Sequence, residues 1–170
     1  IWIRFFRVDA RITLIAGALL MRLGLALYGS GSVRSKNAAS LIGRHLLDWA
    51  IALLVFWAVG FAIAGQTHNP VAWIDPHLLF GSAVPGQVAM GLAMASLFGA
   101  SVIGATAERS RLSMILTLSV VSGGIILPLA INWSQTGWLA KLGFVDRGGA
   151  AAIHVAGAAI ALVALKFVGP

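Results

Sequence analysis

The amino-acid sequence predicts an all-α integral membrane protein that crosses the bilayer five times. Of its 170 residues, 59% are hydrophobic and only 10% are charged, and the mean hydropathy is +0.94. Soluble domains carry about 25% charged residues, so the composition excludes an ordinary soluble protein. The net charge of +7 would indicate nucleic-acid binding in a soluble chain. Here the basic residues lie in short loops, where anionic lipid headgroups account for them, and no nucleic-acid partner is expected.

Five segments are long and apolar enough to be spans, each of which needs about 20 residues. They cover roughly residues 12–29, 48–65, 86–106, 112–133 and 149–168. One transmembrane domain is therefore predicted over residues 12–170. Residues 1–11 precede it as an interfacial arm that mixes aromatic residues with arginine. In the fourth span, Gly123, Gly124 and Pro128 predict a kink or a local loss of backbone hydrogen bonds near Pro128.

The distribution of basic residues predicts an N-terminus outside the cell and a C-terminus in the cytoplasm. One side of the membrane would carry Arg34, Lys36, Arg44, Arg109, Arg111 and Lys166, and the other Arg4, Arg7, Arg11, Lys141 and Arg147. Cytoplasmic loops hold the excess of Lys and Arg. Without the N-terminal arm the counts are six against two, and with the arm they are six against five.

His154 lies inside the fifth span, about 7–8 Å beyond its start at a rise of 1.5 Å per residue. Ionisable residues within a membrane are rare and costly. A neutral imidazole can donate one hydrogen bond and accept another, which fits a pore-lining or proton-relay role. The alternative is a histidine bonded to a carbonyl of a neighbouring helix. The other histidines, His45, His68 and His77, are assigned to loops without metal-ligand spacing and are predicted to be surface residues.

Asp146 and Arg147 stand side by side at the entrance to this span. The Asp146 carboxylate can accept N–H groups from the first helical turn and complement the helix dipole. Capping is favoured over the alternative, recruitment of a cation at the helix mouth. Arg147 can pair with Asp146 or reach the lipid headgroups.

Arg22 lies well inside the first span, about 9–10 Å from Tyr28 at helical rise. Most such arginines extend to the interface or pair with an acid. Asp48, at the start of the second span, is the predicted partner, and a cation-repelling role is the alternative. Trp133 and Trp138 flank the outer end of the fourth span, where they are interfacial anchors or part of a binding vestibule.

The order of the motifs carries a resemblance to a known family. The chain contains GLALYGSGSVRSKNAAS, LLDWAIALLVFWAVGFAIAG, ATAERSRLS, WSQTGWLAKLGFVD and DRGGAAAIHV, in that order. Over about residues 9–170 it resembles the first five helices of the ammonium transporter (Amt/Rh) family, whose usual forms are GLALFYGGLVRGKN, an AER turn, WGGGWL and DFAGxxVxH. Members of that family combine two inverted five-helix repeats with a final helix. The resemblance implies half of an Amt-type inverted-repeat bundle.

The resemblance also implies roles for single residues. His154 matches the first of the family's paired pore histidines. Asp146 matches the aspartate that orders the outer end of the conduction path. Trp133, or Ser134 if the gap in WSQTGW falls differently, matches the tryptophan of the outer ammonium-recruiting vestibule. Met94 occupies the position of a gating phenylalanine.

Several departures from the family pattern accompany these matches. The second pore histidine and the vestibule serine belong to the repeat that this sequence does not contain. Arg147 replaces the phenylalanine that follows the aspartate and places a positive charge at the entrance. The proline expected near Leu23 is absent, and Arg22 stands beside that position.

Two functions remain open on this basis. The first is conduction or sensing of ammonium or ammonia, by a chain that is incomplete or degenerate as a channel. The second is a non-conducting accessory subunit packed against a larger membrane complex. In either case half a pore leaves a groove, to be covered by the rest of a longer transporter or sensor, a second copy in the opposite orientation, or other membrane subunits. Since the sequence offers no nucleophile–base pair, phosphate-binding loop or metal cluster, we expect no enzymatic activity, cofactor or metal.

Overall fold

The computed structural model describes residues 10–65 and 86–169, and within these ranges the chain is helical without strands. Helix α1 is Ala10–Ser32, α2 is Ser35–Ile63, α3 is Gly86–Thr106 and α5 is Arg147–Val168. Helix α4 consists of Leu112–Val121, the π-helical turn Ser122–Ile126, and Leu127–Gln135. All five are long and apolar enough to cross a membrane, which confirms the predicted five-span, all-α fold. Predictions for the arm at residues 1–9, His68 and His77 lie outside the described residues.

Helix α2 begins earlier than the predicted span, and the basic segment before residue 48 is not a loop. Only Val33 and Arg34 separate α2 from α1. Within Ser35–Val55, the first part of α2, the buried positions are Leu41, His45, Asp48 and Ala52. These positions are four, three and four residues apart, which is the spacing of one helical face. The segment is helical because this face packs into the bundle. Its Lys and Arg residues, which suggested a loop, lie on the other faces of the helix.

Arg44 illustrates how the basic residues of this segment are used. Its Nη1 donates hydrogen bonds to the carbonyl oxygens of Ala107, at 3.1 Å, and Ser110, at 2.9 Å. These carbonyls lie in the turn between α3 and α4, where they have no helical partner. The arginine therefore joins α2 to the end of α3 instead of facing the headgroups alone.

Helix α3 is the centre of the bundle. In the most apolar stretch of α3, 61% of the residues are buried, whereas only 11% are buried in the corresponding stretch of α1. It packs against α1 and α2 on one side and α5 on the other. The main apolar core forms around Phe98 on α3, Phe56 on α2, Leu127 and Ile131 on α4, and Ile153 on α5.

Helices α2 and α4 approach closely at two glycines. A Cβ on Gly123 would lie 3.0 Å from both Cα and O of Ala52, and a Cβ on Gly60 would lie 2.8 Å from the Gly123 oxygen. Small residues permit such backbone contacts in lipid, where packing drives helix association. The turn Ser122–Ile126 is π-helical, and Pro128 has no N–H to give to the Gly124 carbonyl. The predicted loss of regular backbone bonding before Pro128 is thus confirmed.

Glu108, in the turn between α3 and α4, caps α2 from outside that helix. Its Oε1 accepts hydrogen bonds from the Arg34 backbone N–H and from Asn37 Nδ2, both at 3.0 Å. Arg34 Nε lies 3.8 Å from the other carboxylate oxygen. The hydrogen bond from the Arg34 backbone, followed by that from Asn37, lowers the pKa of Glu108.

We expect Glu108→Gln to lower the melting temperature slightly at neutral pH and to have no effect in acid. The pKa of Glu108 is lower in the folded than in the unfolded protein, so its charged form stabilises the fold above the unfolded-state pKa, about 4.5. That contribution disappears as the pH falls through the folded pKa. Thermal unfolding in detergent between pH 7 and pH 3 measures the difference.

Arg111→Gln is the control, because Arg111 is exposed in the same turn and forms no ion pair with a described carboxylate. It should leave the pH profile of stability unchanged. An equal gap between wild type and Glu108→Gln at pH 3 and pH 7 would contradict the capping role.

Candidate functional site

Asp146 fixes the beginning of α5. Its Oδ1 accepts the backbone N–H of Ala151 at 2.9 Å, and its Oδ2 accepts that of Ala152 at 3.0 Å. A carboxylate at this position satisfies two N–H groups that have no helical acceptor and complements the positive end of the helix dipole. The predicted capping by Asp146 is confirmed. Arg147 is exposed beside it and forms no ion pair with a described residue.

Two glycines shape the turn that leads into α5. Gly148 and Gly149 both have positive φ, 67° and 74°, a conformation that costs glycine little. A Cβ on Gly149 would collide with Cε of Met94. Met94 is buried in the apolar core beside Ala152 and Ile153. The Met94 side chain therefore projects from α3 into the contact with α5 and is not on the exposed side of α5.

His154 lies one turn further along α5, within the π-helical turn Ala151–Val155. Its side chain is exposed on the surface of the bundle, as is that of Val155, and it makes no hydrogen bond to a described residue. The alternative of a bond to a neighbouring helix carbonyl is thus not realised within the described residues. Single π-helical turns within α-helices are frequently found at functional sites.

Trp133 and Ser134 line an apolar groove between α4 and α5, with a volume of about 540 Å³. On the α5 side the groove is lined by Ala151 and Ala152, the residues held by Asp146. Ser134 Oγ donates to the Ala130 carbonyl of its own helix at 2.8 Å. Trp133 packs against Trp138 with ring centroids 6.4 Å apart, at an interplanar angle of 59°, a favourable tilted geometry.

A second polar constellation lies on the other side of α3. Arg22 on α1 and Asp48 on α2 form an ion pair, with Arg22 Nη2 donating to Asp48 Oδ2 at 2.6 Å. The two residues are 1% and 2% exposed. Ser119 Oγ on α4 lies 2.6 Å from Asp48 Oδ1, and a Cβ on Gly99 of α3 would collide with the carboxylate. The predicted partner of Arg22 is confirmed.

His45 belongs to this second constellation, so its prediction as a surface residue was wrong. It is 2% exposed, and its carbonyl oxygen accepts a hydrogen bond from Arg22 Nη2 at 2.7 Å. The error followed from starting the second span near residue 48, which left His45 in a loop. The spacing of Leu41, His45, Asp48 and Ala52 was the signal that places it on the buried face.

The two constellations differ in what they can do chemically. In the pair Arg22–Asp48 the two charges neutralise each other, and Ser119 bonds to the second oxygen of the Asp48 carboxylate. The region where α4 ends and α5 begins instead presents an imidazole without a described partner, an exposed cation at Arg147, and an aromatic pair. Tryptophan faces attract cations, and a neutral imidazole can donate one hydrogen bond and accept another. Within the described residues no cluster of His, Cys, Asp and Glu could hold a metal ion.

Comparison with known proteins identifies related sequences. The sequence model of the Ammonium Transporter Family matches residues 11–170. Ammonium transporter Amt2 of Haloferax mediterranei is 33% identical over 164 residues, which are 88% of this chain and 36% of the relative. Ammonium transporter Amt2 of Archaeoglobus fulgidus is 31% identical, covering 96% of this chain and 39% of the relative. Ammonium transporter 3 of Dictyostelium discoideum is 31% identical, covering 88% and 36%. The chain thus spans a little over a third of the length of these relatives, and no solved structure matches it significantly.

Asp146→Ala should lower the free energy of unfolding by about 0.5–2 kcal/mol, the range for losing a side-chain cap. Two backbone N–H groups at the start of α5 would lose their acceptor. Unfolding in mixed micelles, followed by circular dichroism, measures the loss. The exposed neighbour provides the control, because Arg147→Gln should change stability by less than about 0.5 kcal/mol. Equal effects of the two substitutions would contradict the capping role.

Breaking the ion pair from one side should destabilise the bundle far more than removing both charges. Arg22→Met or Asp48→Leu alone leaves an uncompensated buried charge and should cost about 3–5 kcal/mol. The double variant should lie within about 1 kcal/mol of wild type, since apolar replacements of a buried pair are often neutral. A double-mutant cycle of unfolding free energies tests this, and additive losses would contradict it.

Proposed function

The chain belongs to the ammonium transporter family, and on that premise we propose that it forms one wall of a path for ammonium or ammonia, with His154 facing that path. The observation that carries the proposal is the exposed imidazole of His154, which has no described hydrogen-bond partner. An imidazole on a membrane-embedded surface is costly unless a polar path or another protein segment meets it. Its position in a π-helical turn adds support, because such turns accompany functional sites.

Asp146 acts in this proposal through the backbone. By holding the N–H groups of Ala151 and Ala152, it sets where the helical turn that carries His154 begins. Trp133 and Ser134 line the groove beside that turn. An arriving cation would meet the exposed tryptophan pair first and the imidazole deeper in the membrane.

A second wall is part of the proposal. The face of α5 that carries His154 is open in this five-helix unit, whereas pores between inverted repeats take walls from both repeats. The chain spans a little over a third of its relatives' length. We infer that a further segment of a longer protein covers this face. A second copy in the opposite orientation and another membrane subunit are the other occupants that the test below distinguishes.

Arg147 modifies the entrance without closing it. Two unit charges 4 Å apart repel by about 1 kcal/mol in water and by about 4 kcal/mol near a protein surface of lower effective dielectric. Because Arg147 is exposed, the lower value applies. It reduces the local concentration of cations at the mouth by a small factor, which leaves conduction feasible.

A non-conducting subunit is the second candidate function. The buried position of Met94 favours it, since this side chain fills the contact between α3 and α5 and offers no gate beside His154. In that case the groove at Trp133 and the face of His154 would be covered permanently by a partner.

The proposed orientation in the membrane rests on the clustering of basic residues at one end of the bundle. Arg34 and Arg44 lie beside the turn with Glu108, and Arg109 Nη1 reaches the Gly169 carbonyl at 3.4 Å. Since cytoplasmic ends carry the excess of basic residues, we infer that this end faces the cytoplasm and that Asp146 and Trp133 face outward.

Methylammonium uptake into proteoliposomes tests the proposal. The protein encoded by the complete reading frame should take up methylammonium, and His154→Ala should reduce the initial rate about tenfold or more. Losing one hydrogen-bonding group in a buried path costs about 1–3 kcal/mol, and about 1.4 kcal/mol corresponds to a tenfold change in rate. The 170-residue chain alone should be inactive if a further segment supplies the second wall.

Leu162→Ala is the matched control, because Leu162 is exposed on α5 two turns beyond His154 and should leave uptake unchanged. Uptake by the chain alone, with a dimer in the liposomes, would instead identify a second copy as the wall. If the complete protein takes up nothing and purifies in fixed stoichiometry with another membrane protein, the accessory function replaces the transport function.

A further inference from the structure

Five buried nitrogen atoms near the Arg22–Asp48 ion pair have no hydrogen-bond partner among the described residues. They are Nε and Nη1 of Arg22, Nδ1 and Nε2 of His45, and Nε1 of Trp49. His45 and Trp49 are four residues apart on α2 and therefore neighbours on its surface. Arg22 contacts His45 through its hydrogen bond to the His45 carbonyl. The five atoms thus lie along the contact between α1 and α2, where a Cβ on Gly29 of α1 would lie 3.4 Å from His45 Nε2.

This region is shielded from bulk water. Arg22 and His45 are only 1% and 2% exposed, and Trp49 Nε1 is buried. A buried donor or acceptor that is left without a hydrogen-bond partner costs about 1–3 kcal/mol.

The chemistry of the unpaired atoms determines what can satisfy them. Arg22 leaves one donor on Nε and two on Nη1, Trp49 leaves one, and a neutral His45 leaves one donor and one acceptor. Donors therefore exceed acceptors by five to one, and the missing ligand must be rich in acceptor atoms. Water and a small anion both meet this requirement.

Charge decides between the two. The positive charge of Arg22 is already matched by Asp48 at 2.6 Å, so an anion would leave a net negative charge buried inside the bundle. Such a charge is strongly disfavoured, whereas a water molecule adds none and can make about three hydrogen bonds at a buried site.

We propose that Arg22, Asp48, His45 and Trp49 line a hydrated polar site inside the bundle, which holds about two water molecules between α1, α2 and α4. The site is separate from the face of α5 that carries His154, because α3 lies between them and presents Gly99 to Asp48 and Met94 to α5. Its ligand is water, and His45 is the one group in it that can both donate to and accept from that water.

Deuterium exchange of the Trp49 indole N–H in lipid nanodiscs tests the proposal. Trp57, on the same helix, is the internal reference because its side chain is 38% exposed on the bundle surface, toward lipid. We expect the ¹⁵N-labelled Trp49 indole to exchange at least about tenfold faster than that of Trp57, although Trp49 Nε1 is buried. Exchange at Trp49 equal to or slower than at Trp57 would overturn the proposal.

The variant Arg22→Met/Asp48→Leu removes the charged lining while keeping the net charge. It should slow exchange at Trp49 at least about tenfold and leave Trp57 unchanged, and unaltered exchange at Trp49 would count against the site.

If the variant does not fold, X-ray radiolysis of the wild type in H₂¹⁸O gives an independent measurement. His45 should incorporate ¹⁸O, whereas Phe98, fully buried in the apolar core, should not. Equal protection of both residues would show a dry site.

Discussion

The arrangement of this bundle depends on one constraint, that a charge inside a membrane requires its counter-charge within reach. Arg22 on α1 cannot be accommodated in hydrocarbon unless Asp48 on α2 meets it, and the two are joined at 2.6 Å. Ser119 then joins α4 to the same carboxylate, and Gly99 on α3 gives the carboxylate room. One pair of charges thus links residues of four helices. Packing at small residues acts together with it, since Gly60 and Gly123 allow α2 and α4 to approach closely.

The central position of α3 separates two kinds of polar chemistry. Toward α2, its residue Gly99 contacts a carboxylate that is already neutralised. Toward α5, Met94 fills the space against Gly149 and holds the turn that Asp146 caps. The first region is closed and structural, apart from the nitrogen atoms around His45. The second presents His154 on an open surface. A buried ion pair behind an open face of the bundle gives the proposed site on α5 a supporting structure.

Sequence patterns predicted this structure where a single physical requirement dominated. The need for about 20 apolar residues identified all five spans, and the cost of a lone buried charge identified Asp48 as the partner of Arg22. The start of α2 and the environment of His45 were missed because polar residues were taken to mark a loop. The helical spacing of Leu41, His45, Asp48 and Ala52 on one face determined the structure of this segment more than the polarity of its other residues did. The irregular turn Ser122–Ile126 was predicted from Gly123, Gly124 and Pro128, whereas the π-helical turn Ala151–Val155 has no proline beside it and was not predicted.

The exposed surfaces of α1 and α5 explain why the open face belongs on the α5 side. Helix α1 exposes Leu20, Leu27 and Tyr28, apolar and interfacial side chains that lipid satisfies without a partner. Helix α5 exposes similar residues such as Leu162 and Phe167, but it also exposes His154, which acyl chains cannot satisfy. Hydrocarbon can therefore cover α1 fully and α5 only in part. The surface that needs a polar path or a protein neighbour is the one built around His154, above a groove lined by Trp133, and the helices that Arg22 holds together lie away from it.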